Sequence, residues 1–451
     1  ERAVSLIIAA ARKGFPDAIS KLSDIYWNGD GIPVNYENSI LWKRKLVDLY
    51  SNQFDDIKNI ETMMDYVRVL ESLASCLYEL SSFRDSLRYG KALVELLDQI
   101  TSFSGSERFY DYQIRAYSLC GQNLKRLGLY DQALIYTEKD CQLSLKRYKI
   151  NPSTNNYHNL SVAYQRTGDI YYAEGKLEKA KEEYLKAIEI DEKIDIQLKS
   201  ADSAYSLSVD MLVLGDIYMK HGKYEEANRF YERATILRKQ ILDGKDTADH
   251  RNKYAEAVLS RGTSMLLCGN SEEANLLLNT AKDILLNLAE TNGTIEAQYA
   301  CSVALNRCAK ACEEKGDFQN ALNYYTDSLT RRKKILSHIR TCEAVYEYAR
   351  TQFLRANSYQ TVYDNTTAKM EYEDVVGLLK TILASDRNGS IHRLQAEAAF
   401  ERFKLDTFSG KQYLQYAIDA WKWLSEKQIE NHKFQKQYEL CKKIYQRCYP
   451  E

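Results

Sequence analysis

Proline is almost missing from this chain: there are four in 451 residues, at Pro16, Pro33, Pro152 and Pro450. A proline inside a helix removes a donor and clashes with the preceding turn, so its scarcity leaves long stretches free to be helical. No apolar run reaches the roughly 20 residues of a membrane-spanning helix, and the opening segment lacks the order of a secretory signal. The expectation is a soluble, cytoplasmic chain with no membrane partner. Net charge is nearly absent, −1 at pH 7 from 62 basic and 63 acidic side chains. That balance argues against nucleic acid as principal partner.

Catalytic and metal-binding patterns are missing too. The six histidines, His158, His221, His250, His338, His392 and His432, form no HExxH pair, and neither a GxSxG elbow nor a GxxxxGK[ST] phosphate loop occurs. Gly244-Lys245-Asp246-Thr247 lacks the upstream glycine and the hydroxyl next to the lysine. The ten cysteines show no zinc-site spacing, and a large core has no need of disulfide staples. Cys301, Cys308 and Cys312 share a helical face but act there as small apolar residues. These absences lead to three expectations: no enzyme activity in this chain, no cofactor and no metal.

Glycine is sparse, 19 in all, yet it recurs in strides of 47 at Gly128, Gly175, Gly222, Gly269, Gly316 and, after a missed beat at Tyr363, Gly410. Other columns keep the same step. Ala133, Ala180, Ala227, Ala274, Ala321 and Ala368 follow by five residues, and Gly121, Gly168, Gly215, Gly262, Ala309 and Ala356 precede by seven. Large residues stand four before, as in Tyr171, Tyr218 and Tyr359, and nine after, as in Tyr184, Tyr231, Tyr325 and Tyr372. Small and bulky positions spaced by three, four and seven on both sides of a glycine describe two amphipathic helices joined by a tight turn. The glycine fits the left-handed helix C-terminus, the small columns let helices approach, and the tyrosines fill the core.

The run Gly215, Tyr218, Gly222, Tyr224, Ala227, Tyr231, Ala234, and its counterpart Gly168, Tyr171, Gly175, Leu177, Ala180, Tyr184, Ala187, resemble the tetratricopeptide repeat. The resemblance implies an all-α fold, a right-handed α-solenoid or superhelix of antiparallel helix pairs. The period exceeds the usual unit of about 34 residues, and with so little proline the excess belongs in helices of about 20 residues. Cutting at the period gives eight units over 61–436: 61–107, 108–154, 155–201, 202–248, 249–295, 296–342, 343–389 and 390–436. The ends are degenerate, with Ser81 in place of the first glycine and Tyr413 and Ala417 one residue out of step. Terminal repeats meet water, so degeneracy suits them. The segment 437–451 reads as a capping helix. Asp243-Gly244-Lys245-Asp246, Thr291-Asn292-Gly293 and Asp386-Arg387-Asn388-Gly389 read as turns between units.

Residues 1–60 follow another rule. Gly14-Phe15-Pro16-Asp17-Ala18, the loop Gly29-Asp30-Gly31-Ile32-Pro33-Val34-Asn35 and Ile40-Leu41-Trp42 resemble a Sel-type repeat. A calcium loop begun at Asn28 needs a glutamate at its twelfth position, where Ser39 stands. The chain opens at Glu1 inside an amphipathic pattern, and we expect it to be a fragment of a longer protein. The basic run Arg331-Arg332-Lys333-Lys334 reads as a solvated helix face.

Function then rests on surface. In the resembled family the first helix of each unit lines a concave side that grips a peptide or protein segment. Carrying over its inward positions names Val162, Gln165, Asp169 and Tyr172; Val209, Leu212, Asp216 and Met219; Leu259, Thr263 and Leu266; Val303, Asn306 and Lys310; and Arg350, Phe353 and Asn357. The middle of this groove is apolar with carboxylates, and its far end is more polar and cationic. The resemblance implies a non-catalytic recognition scaffold for a protein or peptide, the sensor or interaction arm of a larger bacterial signalling or defence protein, with self-association open to it. Two alternatives stand beside it: a cytosolic receptor for a short signalling peptide, and the regulatory part of an enzyme whose catalytic domain lies upstream of residue 1.

Overall fold

The computed structural model describes residues 2–53, 60–80, 82–104, 109–383, 389–427 and 432–449. Among the described residues there are helices and no strand: α1 (Arg2–Arg12), α2 (Pro16–Asn28), α3 (Tyr36–Gln53), α4 (Ile60–Glu79), α5 (Phe83–Ser104), α6 (Tyr110–Arg126), α7 (Tyr130–Ile150), α8 (Thr154–Glu174), α9 (Leu177–Leu198), α10 (Ala201–Lys220), α11 (Tyr224–Gly244), α12 (Ala248–Leu267), α13 (Ser271–Thr291), α14 (Ile295–Glu314), α15 (Phe318–His338), α16 (Cys342–Thr361), α17 (Asn365–Leu383), α18 (Gly389–Leu405), α19 (Lys411–Lys427) and α20 (His432–Cys448). Ser81, Arg108 and the Asp386–Asn388 part of one expected turn lie outside the described residues.

The chain divides into two compact units, Glu1–Ile217 and Tyr218–Glu451. In the first, α4/α5, α6/α7 and α8/α9 form hairpins, and α6 touches both α4 and α8 directly. In the second, α12/α13, α14/α15, α16/α17 and α18/α19 pair in the same way, α12 meets α14, α16 meets α18, and α20 closes on α19. Each is an all-α solenoid of antiparallel helix pairs. The length beyond the usual repeat resides in the helices, which from α8 to α16 run 20–22 residues.

The repeat columns account for the packing. Ala133, Ala180, Ala227, Ala274, Ala321 and Ala368 are all 0% exposed, while Tyr184, Tyr231, Tyr325 and Tyr372 are fully buried. Small and large are matched: a Cβ on Gly168 would stand 2.8 Å from Cε2 of Tyr184, closer than packed atoms tolerate.

The turns explain the glycine column and its exceptions. The residue after each turn position donates its backbone N–H to the carbonyl five residues back: Lys176 to Tyr171 at 2.8 Å, Lys223 to Tyr218 at 2.9 Å, Asn270 to Met265 at 3.0 Å, Asp317 to Cys312 at 2.9 Å and Asp364 to Tyr359 at 2.9 Å. This closure needs a left-handed residue between, and Tyr363 supplies it at φ 64 where its counterparts are glycine. Gly410 departs from the expectation, because its φ is not positive. There α18 ends early, at Leu405, and the longer connection brings Gly410 against the chain, with the Asp406 carbonyl oxygen 2.5 Å from where a Cβ would lie. Close approach, not handedness, requires that glycine.

A further column, absent from the reading of the sequence, fixes the first helices. Ser153, Thr247, Thr294 and Thr341 each accept, through the side-chain oxygen, the backbone N–H three residues on, at 3.1–3.3 Å. Ser200, in the same 47-residue frame, accepts from Ser203 at 3.1 Å. These are N-caps that satisfy donors a helix start leaves orphaned.

Candidate functional site

Three clefts in the two units are lined by the faces of the first helices. In the first unit an opening of about 400 Å³ is bounded by Glu71 and Ser75 of α4, Arg115, Ser118 and Gln122 of α6, and Val162 and Arg166 of α8. Glu71 and Ser118 are one repeat apart, as are Ser75 and Gln122, and Arg115 and Val162. Helix pairs repeated at constant spacing put equivalent side chains side by side, which is why a column in the sequence becomes a wall of the cleft. The wall is polar and internally paired, with Arg115 held by Glu71. Beside it lies a recess of about 150 Å³ that contains Asp169.

Asp169 accepts from Lys125 at 2.7 Å and from the hydroxyl of buried Tyr184. Gln165, one turn away, faces the buried Asp210. Burial and the Asp216 carboxylate push the Tyr172 phenol up to about 12, so these two expected groove residues are neighbours. Val209 and Leu212 are half-buried on α10 and Asp216 is exposed. Val162 and Asp169 lie in the two openings of this unit.

In the second unit Leu259 and Val303 share an apolar slot of about 540 Å³ with Leu285, Ile295, Ile335 and Ile339. Met219, Thr263 and Leu266 are half-buried. Asn306 donates to the Thr351 hydroxyl at 2.8 Å. Lys310 is engaged by Glu313 and Glu314 at 3.1 and 3.3 Å, and Arg350 by Glu347 at 3.4 Å, so acids of the same helices partly neutralise the expected cationic end. Phe353 and Asn357 border a larger cleft, about 620 Å³, with Phe400, Trp421, Phe434 and Arg393. The Asn357 carbonyl is held by the Tyr372 hydroxyl at 2.6 Å, which fixes the direction its amide presents.

The structure corrects one expectation about charge and adds two buried acids. Arg332, expected on a solvated face, is 3% exposed, paired with Glu347 at 3.0 Å and over the ring of Tyr299 at 5.3 Å. Asp140 and Asp210 are buried at 0% exposure, although their columns elsewhere hold Ala187 and Ala234, and Ala163 and Ala257. Asp140 is answered by Arg166 at 3.0 Å and Ser144 at 3.2 Å. An acid interrupting an alanine column was the available signal. The buried thiols behave as apolar groups, and burial lifts Cys120 and Cys308 to about 12. Among the described residues no His, Cys, Asp and Glu cluster can hold a metal ion, and no helix is long and apolar enough to cross a membrane.

Models of the tetratricopeptide repeat match residues 156–194, 211–252 and 304–337. No curated protein matches the sequence. Among solved structures, the chain is similar to BtubC (BKLC) from P. vanneervenii, at 18% identity and a TM-score of 0.45 over 58% of this chain and 94% of that one. It is similar to the apo form of RapI at 17% and 0.45, over 67% and 93%. A Rap protein complexed with competence and sporulation factor aligns at 12% and 0.43, over 85% and 97%. At such identities and TM-scores the likeness assigns no partner. The family matches fall on the glycine, alanine and tyrosine columns that build the hairpins, and by them this chain is a tetratricopeptide repeat protein.

Proposed function

We propose that this chain is a non-catalytic recognition scaffold that takes a peptide or protein segment on the first-helix faces of its units. One observation carries the reading: columns 47 residues apart, Glu71 with Ser118, Glu256 with Val303 and Phe353 with Phe400, line open clefts in both units. Clefts with apolar floors and a few fixed polar groups are the usual places for ligand segments. In the same reading the chain acts as the sensor or interaction arm of a larger bacterial signalling or defence protein, through a protein or peptide partner.

Panning a random peptide library on the purified chain tests it. Selected peptides should lose binding to Ser118→Trp or Asn357→Trp and keep it for Leu276→Trp, which alters an exposed position on α13. Selected peptides that bind all three variants as they bind the parent, and that bind equally well to Ala300→Trp in the third cleft, would place recognition elsewhere.

A further inference from the structure

The slot around Leu259 differs from the other clefts in chemistry. Its floor is aliphatic, supplied by Leu259, Leu285, Val303, Ile335 and Ile339. Its rim carries three carboxylates, Glu256, Glu296 and Glu343, against one cation, Lys253. Glu256 is engaged, by Arg238 at 3.4 Å and by the Asn252 amide at 3.2 Å. Glu296 and Glu343 are exposed and find no ion-pair partner among the described residues. Asn252 also lines the slot, and its side-chain carbonyl oxygen is buried with no donor.

Those features favour one class of occupant. An apolar slot gains by covering its floor, but acceptors without donors and carboxylates without cations repel an acidic segment and leave a neutral one with unmet groups. Glu296 and Glu343 stand in the first turns of α14 and α16. There they complement the helix dipole and border the slot. We propose that this slot receives a peptide segment with an apolar anchor flanked by lysine or arginine, an identification that rests on the recognition reading above. The anchor covers Leu259 and Val303, and the flanking cations reach Glu296 and Glu343.

Two short fluorescein-labelled peptides sharing the same leucine pair, one flanked by lysines and one by glutamates, make the test, read by fluorescence anisotropy on the whole chain. The lysine peptide should bind more tightly than the glutamate peptide and weaken in high salt, as rim charges are screened. Charge reversal by Glu296→Lys with Glu343→Lys should weaken the lysine peptide roughly tenfold and invert the preference. Filling the slot by Ala300→Trp should abolish binding of both, with circular dichroism reporting that the helices persist and Ala344→Phe standing in if they do not. A preference unmoved by charge reversal overturns the basic-segment inference, while loss of binding on filling the slot would keep peptide recognition standing. Binding that survives a filled slot, or no binding of the lysine peptide, overturns the slot as the site and leaves the library experiment to judge recognition separately.

Discussion

Asp191 of α9 and Asp210 of α10 face each other inside the first unit, 1% and 0% exposed, with no hydrogen-bond donor on any of their four carboxylate oxygens. Ser161, close to Asp191, gives its hydroxyl to the Ala187 carbonyl at 3.4 Å. The pair is further surrounded by the Gln165 amide, the Asp169 carboxylate and the Tyr184 phenol. Burial first, and then the opposing carboxylate, push Asp210 up to about 8, and burial raises Asp191 as well. Two like charges so placed share a proton at neutral pH.

A pH dependence follows. The folded state holds a proton on Asp210 that the unfolded chain, near its ordinary value of 3.8, has already released. Between those two values the native state binds more protons, so stability falls as pH rises, by about 1.4 kcal/mol per pH unit for one proton. Below pH 4 the effect is absent because both states are protonated, and above about 8 the loss is complete. Asp210→Ala, the residue its column carries at Ala163 and Ala257, should therefore raise the thermal midpoint at pH 8 far more than at pH 5. Parallel curves for variant and parent across that range would show that the pair does not titrate as placed.

The N-cap column gives a prediction free of charge effects. Thr294→Ala removes the acceptor for the Ala297 N–H and should cost about 1 kcal/mol in denaturant unfolding. Thr294→Ser keeps the oxygen and should restore most of that. Equal loss in both variants would assign the effect to the threonine methyl.

Tyr363 bears on backbone strain. It is 88% exposed and makes the left-handed turn that Gly128, Gly175, Gly222, Gly269 and Gly316 make in their units, so its side chain contributes little packing against a conformational cost of roughly 1–2 kcal/mol. Tyr363→Gly should leave stability unchanged or raise it by up to about 1 kcal/mol, since the gain is offset by the entropy of glycine in the unfolded chain. A loss above that amount, by chemical denaturation, would mean the ring has contacts that matter.

How much of this was legible differs by residue. The step of 47 located the hairpins because every unit meets the same neighbours, so Gly168 against Tyr184 is a constraint written once per repeat. Val162, Leu259, Val303, Phe353 and Asn357 were carried over from the inward positions of the resembled family, and each borders one of the clefts. The rest of the slot, Ile295, Ile335 and Ile339, lies at helix ends where hairpins join, and column reasoning centred on the turn glycine does not reach there. The Ser153-to-Thr341 caps were in frame but changed identity between serine and threonine. Asp210 was hidden because an acid beside carboxylates looks like surface until its column mates are seen to be buried alanines.

Arg332 and Glu347 show what a charge inside such a column does. Burial lowers the Arg332 guanidinium from its ordinary value, and its column mates one repeat either way are Leu285 and Leu379. Glu347 has a second cation, Arg350, at 3.4 Å, whereas Arg332 has only Glu347 as ion-pair partner among the described residues. The two truncations are therefore unequal. Arg332→Leu supplies the column's usual side chain and leaves Glu347 paired, so stability should change by less than about 1.5 kcal/mol. Glu347→Ala strands a buried cation and should cost about 3 kcal/mol or more. The double variant should recover most of the loss, because the stranded charge is gone. Urea unfolding of the four proteins reads this directly, and equal losses in the two single variants would show that Arg332 is solvated rather than held in the core.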